Sequence, residues 1–175
     1  MANPIQQAKD SINSIISAAY EKAAAAGQLP AGAELSGLVE IPKDTANGDY
    51  AANHAMTGAR ALRMAPRKIA ETLVANMELE GSWFDSVECA GPGFINFRLN
   101  DSWYGDVLKA VVDEGADYGR CDVGGGKKLM VEFVSANPTG PMHMGNARGG
   151  AIGDGLAAAL DAAGYNVTRE FLVND

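Results

Sequence analysis

The sequence predicts a two-part chain. A small α+β domain, with helices on an antiparallel sheet, precedes the opening βαβ of a doubly wound α/β fold. Three observations predict it. Residues 4–26 repeat apolar side chains at helical spacing, and two alternating segments later flank Gly91-Pro92-Gly93. Residues 115–127 carry five glycines and break both patterns. Beyond them an apolar segment, a Pro/Gly loop, a small-residue helix and a second apolar segment follow in order.

The first helix is predicted over 4–26. Asn3 can cap it, Pro4 suits its first position, and Gly27 and Pro30 stop it. Ile5, Ala8, Ile12, Ile15, Ile16 and Ala19 form its apolar stripe. Leu38–Ile41 reads as a short strand ended by Pro42, and 42–49 as a turn-rich loop. A helix is expected from about Tyr50 to Met64, and another opens at Pro66 and runs to about Met77. Phe84–Cys89 and Phe94–Leu99 read as a hairpin, and Asp101 as the cap of a helix reaching Glu114. The domain boundary falls in the glycine-rich stretch, giving a domain over 1–115, a flexible linker over 116–127 and a second domain from 128 to 175. Leu129–Val134 has the apolar character of a strand buried on both faces of a parallel sheet. A helix over about 145–163 and a strand over 166–173 follow. Two strands and one helix cannot bury their own apolar faces as a finished sheet, so the chain is expected to be the N-terminal piece of a longer protein.

Composition excludes several classes. No apolar run reaches the length of a membrane span, and the N-terminus lacks a basic region followed by an apolar stretch. Cys89 and Cys121 are isolated, which points to reduced thiols, and no CxxC or close Cys/His pair suggests zinc. A net charge of −8 argues against a sequence-indifferent nucleic-acid binder. Arg60, Arg63, Arg67 and Lys68 form the densest basic cluster, either as solvated helix faces or as a local patch on RNA backbone. Gly124-Gly125-Gly126 before two lysines does not fit a phosphate loop, because the GxxxxGK[ST] spacing fails.

Residues 131–146 carry the chemistry. A strand, a loop shaped by Pro138, Gly140 and Pro141, and a histidine lead into a helix start. The first N–H groups of a helix are unpaired and carry partial positive charge, so they suit an anion such as phosphate. His143 stands at that junction. Glu132 interrupts an apolar strand, where a carboxylate needs a partner. A guanidinium ligand would pair with it bidentately; a protein arginine, Arg148 or Arg169, is the alternative. Ser135 and Asn137 lie at the carboxyl end of the strand, where open α/β sheets bind ligands. In the first domain, Phe94 and Asn96 share strand parity and suit an unpaired base, by stacking and hydrogen bonding, while Phe97 has the opposite parity. Core roles for the phenylalanines are the alternative. His54 lacks such context and reads as a packed or surface histidine.

"HMGN" at 143–146 resembles the HIGH signature of class I aminoacyl-tRNA synthetases, and "VEFVSANPTGPMHMGNARGGAIGD" is similar to the arginyl-tRNA synthetase form of it. "GDYAANHAM" at 48–56 and "GPGFINFRL" at 91–99 resemble the extra N-terminal domain of the same family. The resemblance implies a Rossmann-like catalytic domain, incomplete here, and a function as arginine–tRNA ligase. Such an enzyme activates arginine with ATP to arginyl-adenylate and transfers it to tRNA(Arg).

On the resemblance, Ala136, Asn137, Pro138, Thr139, Gly140, Pro141, Met142, His143, Met144, Gly145 and Asn146 make the HIGH-type motif. Pro138, Thr139, Gly140, His143, Gly145 and Asn146 would bind ATP, with His143 and Asn146 catalytic; a turn-only role is the alternative for Thr139. Glu132, Ser135 and Asn137 would bind arginine. Phe94 and Asn96 would contact tRNA around the D-loop. Asn146 departs from the family pattern, which usually has a second histidine there; it keeps a hydrogen-bond donor but cannot become cationic, and a helix-start residue bonding local backbone is the alternative. Mg²⁺ is the implied cofactor beside ATP, with a cytoplasmic monomer as the implied setting. The isolated chain is expected to be inactive, since it lacks a KMSKS-like loop. The alternatives are another HIGH-type nucleotidyltransferase and a stand-alone tRNA-binding module.

Overall fold

The structure, a computed structural model, describes residues 3–173. It divides into two compact units, residues 3–112 and residues 113–173.

In the first unit, α1 (Pro4–Ala25) begins as expected: the Asn3 side chain accepts the Gln6 N–H at 3.1 Å, and Pro4 takes the first turn. Its buried stripe is Ala8, Ile12, Ile16, Ala19 and Ala23. Ile5 lies near that stripe by angle but is 47% exposed, because the first turn is not covered. Tyr20 Oη fastens the turn after the helix, donating to the Pro30 carbonyl and accepting from the Ala33 N–H, both at 2.8 Å.

The sheet holds β1 (Val39–Glu40), β2 (Tyr50–Ala52), β3 (Phe84–Ala90) and β4 (Phe94–Leu99), in the spatial order β1-β2-β4-β3 and antiparallel throughout. Residues 50–52 are thus a strand, not the start of a helix. Tertiary pairing overrides the weak local preference of Tyr-Ala-Ala: Tyr50 opposes Phe97 and Ala52 opposes Ile95. Gly48 permits this. Its φ is +86°, and a Cβ there would sit 2.7 Å from the Phe97 carbonyl oxygen. Asp49 then accepts the Leu99 N–H at 2.8 Å. Two helices follow β2: α2 (His54–Leu62), and α3 (Pro66–Asn76), opened by its proline as expected.

One sheet face makes the core. Ile95 and Phe97 are fully buried with Ile12, Ile16, Ile69 and Leu73, and Phe97 meets Phe84 edge-on at 5.2 Å between ring centroids. Burial of each such side chain stabilises the unit by about 1.5–3 kcal/mol. The opposite face carries the cross-strand row Glu40, Ala51, Asn96, Glu88. Helix α4 (Asp101–Glu114) is capped one residue earlier than expected. Asn100 Oδ1 accepts the Ser102 N–H, and Asp101 lies inside the first turn, where its charge favours the helix dipole.

In the second unit, β5 (Lys128–Glu132) and β6 (Asn166–Glu170) form a parallel pair, joined by α5 (Met144–Ala162). The preceding glycine-rich segment is tied down: the N–H groups of Cys121, Gly124 and Gly126 donate to Ala162, Ala163 and Gly164 carbonyls at 2.8–2.9 Å. A strand buried on both faces is not what β5 becomes. Met130 is 63% exposed and Glu132 is exposed, because α5 covers one face of a two-stranded sheet. Among the described residues, no helix is long and apolar enough to cross a membrane.

His54 is packed, 3% exposed at the start of α2, and its Nδ1 has no hydrogen-bond partner. Burial pushes its pKa below the ordinary value of 6.5. The unfolded chain therefore binds a proton that the folded chain rejects, so this contribution to stability is complete above about pH 6.5 and is lost as pH falls toward the lowered folded value. Denaturant midpoints measured between about pH 7 and pH 5 should decline. In His54→Gln that decline should flatten.

Candidate active site

The loop between β5 and α5 builds the site from its two ends. At the strand end, Val134 has φ +66°, a conformation that costs a β-branched residue on the order of 1–3 kcal/mol. The chain turns there, and Ser135 Oγ accepts the Leu172 N–H at 3.0 Å, tying the loop to the segment after β6. Asn137 contributes its carbonyl to the Thr139 N–H at 2.8 Å, forming the tight turn before Gly140.

At the helix end, His143 is the cap of α5. Its Nδ1 accepts the Gly145 N–H at 3.0 Å, while Asn146 Oδ1 accepts the His143 N–H at 3.1 Å. This reciprocal pair is a capping box built from histidine and asparagine. A ring nitrogen that accepts carries no proton, so the neutral imidazole bears its proton on Nε2. Gly145 has to be small, because a Cβ there would lie 2.8 Å from the imidazole Cε1. Ser135, Asn137, Thr139, His143 and Asn146 surround one open hollow of about 520 Å³. Hydroxyl, amide and imidazole side chains therefore border one space, while the N–H groups of Gly145, Asn146 and Ala147 already donate within the helix start. Those side chains can donate to a polyanion.

Glu132 is not among the residues around this hollow. It is exposed rather than buried, so the expected burial cost does not arise. Arg169 turns to Asp154 at 3.1 Å and does not neutralise it. Its register neighbour on β6 is Glu170, which sequence reasoning missed. Only the in-register parallel pairing reveals that two carboxylates stand side by side at the carboxyl end of the pair.

A second hollow, of about 260 Å³, lies on the open face of the first unit and is bordered by Glu40, Asn47, Ala51, Phe94 and Asn96. Phe94 is 37% exposed and Asn96 only 3%. Among the described residues the Asn96 amide makes no side-chain hydrogen bond. Phe97 points the other way, into the core, as strand parity requires. The basic cluster is exposed, with Arg67 paired to Glu71 at 2.9 Å and Arg63 ending α2 in a left-handed conformation.

Comparison with known proteins bears on both units. Residues 7–99 match the model of the arginyl tRNA synthetase N terminal domain, and residues 107–175 match that of the class I (R) tRNA synthetase catalytic domain. The chain belongs to the arginyl-tRNA synthetase family. Among curated relatives, the arginine–tRNA ligase of Acetivibrio thermocellus is 50% identical over all 175 residues, and that of Caldanaerobacter subterraneus subsp. tengcongensis is 53% identical over the same span. The chain covers 31% of each of these relatives. The crystal structure of Plasmodium falciparum arginyl-tRNA synthetase is similar in fold, with a TM-score of 0.55 and 19% identity over 93% of this chain and 30% of that one.

Within this synthetase fold, α5 approaches the strand closely through glycine. A Cβ on Gly153 would overlap the Phe133 side chain at its Cβ and Cγ, and one on Gly150 would lie 3.0 Å from Val134 Cγ2. Phe133 cannot swing away by rotating its far end. Gly153→Ala should therefore destabilise the chain by about 1–3 kcal/mol despite the gain in helix propensity. Gly155→Ala meets nothing within 4 Å and should stabilise it by up to about 1 kcal/mol. Urea denaturation of both variants checks the opposite signs.

Proposed function

We propose that this chain is the N-terminal portion of an arginine–tRNA ligase. In this reading residues 1–115 contact tRNA(Arg), and residues 128–175 begin a Rossmann-like catalytic domain that binds ATP and arginine. The observation that carries the reading is the capped imidazole at the start of α5, opening on a hollow ringed by Ser135, Asn137, Thr139 and Asn146.

The chemistry follows from the donor set. An arginine carboxylate oxygen attacks the α-phosphorus of ATP, the bond to pyrophosphate breaks, and arginyl-adenylate forms. A terminal ribose hydroxyl of tRNA then attacks the arginyl carbonyl, and AMP leaves. No covalent enzyme intermediate is needed, so orientation and charge stabilisation dominate. His143 donates its Nε2 proton to phosphate oxygens whose charge grows at the transition state, and Asn146 offers its amide nitrogen to the same group. Pro138, Thr139, Gly140 and Gly145 shape the walls. Glu132 takes the guanidinium, and Ser135 and Asn137 hold the amino-acid end. Ser135 also ties the loop to Leu172. Mg²⁺ would come with the triphosphate: among the described residues no cluster of three or more His, Cys, Asp or Glu side chains could hold it. A cytoplasmic monomer is the proposed setting.

Arginine-dependent ATP–pyrophosphate exchange tests this in the complete enzyme. His143→Ala should lower kcat on the order of 10²–10³-fold. Glu132→Gln should raise the arginine KM at least about tenfold with a smaller effect on the ATP KM, as expected when a charge-assisted hydrogen bond is lost. An unchanged arginine KM would defeat the arginine assignment.

The 260 Å³ hollow has room for one unpaired base, with Phe94 as the stacking platform and Asn96 as the bonding group. Phe94→Ala should weaken tRNA(Arg) binding by about 1–3 kcal/mol without loss of thermal stability, read by filter binding beside a melting curve.

A further inference from the structure

We infer that Asn146 is a positioning residue that acts through His143. Its side-chain oxygen holds the His143 backbone N–H, and this hold keeps the imidazole in the single tautomer whose free donor is Nε2–H. The inference deepens the ATP-binding reading of the loop and takes its functional meaning from it.

The two bonds of the cap form a closed circuit. Asn146 Oδ1 accepts from His143 N at 3.1 Å, and His143 Nδ1 accepts from Gly145 N at 3.0 Å. The second bond requires a lone pair on Nδ1 and so a proton on Nε2. The first fixes the backbone of residue 143 in its extended capping conformation, φ −104° and ψ 173°, from which the ring reaches over Gly145. Release of that N–H would free the backbone, and the ring would then be free to turn and exchange tautomers. Among the described residues Nε2 has no hydrogen-bond partner, so fixing Nδ1 leaves one donor for a ligand.

The residue type matters. An amide oxygen accepts at any pH, whereas a histidine at 146, the usual form of the family signature, accepts only through an unprotonated ring nitrogen. The asparagine therefore keeps the geometry of the site while giving up a second titrating group. Its Nδ2 remains a donor, so the positioning role resides in one atom of the side chain and any ligand contact in the other.

The test uses the ¹⁵N-labelled chain at roughly pH 8, well above the ordinary imidazole range. Long-range ¹⁵N–¹H correlation of the His143 ring reports the tautomer, and amide exchange reports the His143 N–H. The unsubstituted chain should show the Nε2–H tautomer and a protected amide. Asn146→Asp keeps the acceptor and removes the amide donor; both signals should persist. Asn146→Ala removes the acceptor. Amide exchange at 143 should then accelerate on the order of fivefold, the size of a lost cap, and the ring should move to a tautomer mixture. An unchanged tautomer and unchanged exchange in Asn146→Ala would overturn the proposal, as would a shifted tautomer in Asn146→Asp with α5 shown intact by its backbone shifts. Titration of ATP with Mg²⁺ into the complete enzyme, labelled in the same way, addresses the nucleotide reading alone. No perturbation over residues 137–146 would defeat that reading, whereas the tautomer data decide the role of Asn146.

Discussion

The start of α5 governs the second unit. A helix leaves its first N–H groups without internal partners, and an end that is to stay ordered has to satisfy them. Here two side chains and the His143 carbonyl do so. His143 and Asn146 satisfy one N–H each and stay at the rim of the hollow. A conventional serine cap would hold the helix equally well but would offer no imidazole. In the proposed function the chemistry and the fold share the same two hydrogen bonds.

That helix start must also be held near the strand that precedes it. The loop leaves β5 through a valine in a left-handed conformation, and the neighbouring side chains, Phe133 and Val134, occupy the space over Gly153 and Gly150. Glycines weaken a helix, by about 1 kcal/mol each relative to alanine. At Gly153 the cost is offset by a contact that no larger residue permits. At Gly155 no such contact exists among the described residues.

The first unit works by dividing a sheet into two faces of different character. Helices α1, α2 and α3 bury the Ile95–Phe97 face, which anchors β4 rigidly. The same rigidity fixes Phe94 and Asn96 on the other face, where Ala51 leaves a depression between Glu40 and Asn96. The Asn96 amide borders this depression rather than the core, and its polar atoms are not among the buried unpaired atoms of the described residues. The carboxylates of Glu40 and Glu88 on this face disfavour a phosphate.

Much of this was legible in one dimension. The first helix, its asparagine cap, the proline that opens α3, the hairpin around Gly91–Gly93 and the parity that separates Phe94 from Phe97 follow from local rules, because backbone sterics and side-chain alternation act over a few residues. The sequence of residues 131–146 likewise determined that a strand, a loop and a helix start would bring a histidine to a helix end. Tertiary structure alone decided the rest. Tyr50–Ala52 became a strand because β4 lay beside it, and Glu132 acquired Glu170 as a neighbour only through the parallel register. The glycine-rich stretch was tied to the far end of α5 through backbone bonds that no side chain announces. Asn146 is the clearest case: the sequence left open a phosphate contact or a bond to local backbone, and only the folded turn shows its oxygen on the His143 N–H. Local preferences are set by the chain's own covalent geometry; partners distant in sequence are set by which surfaces meet.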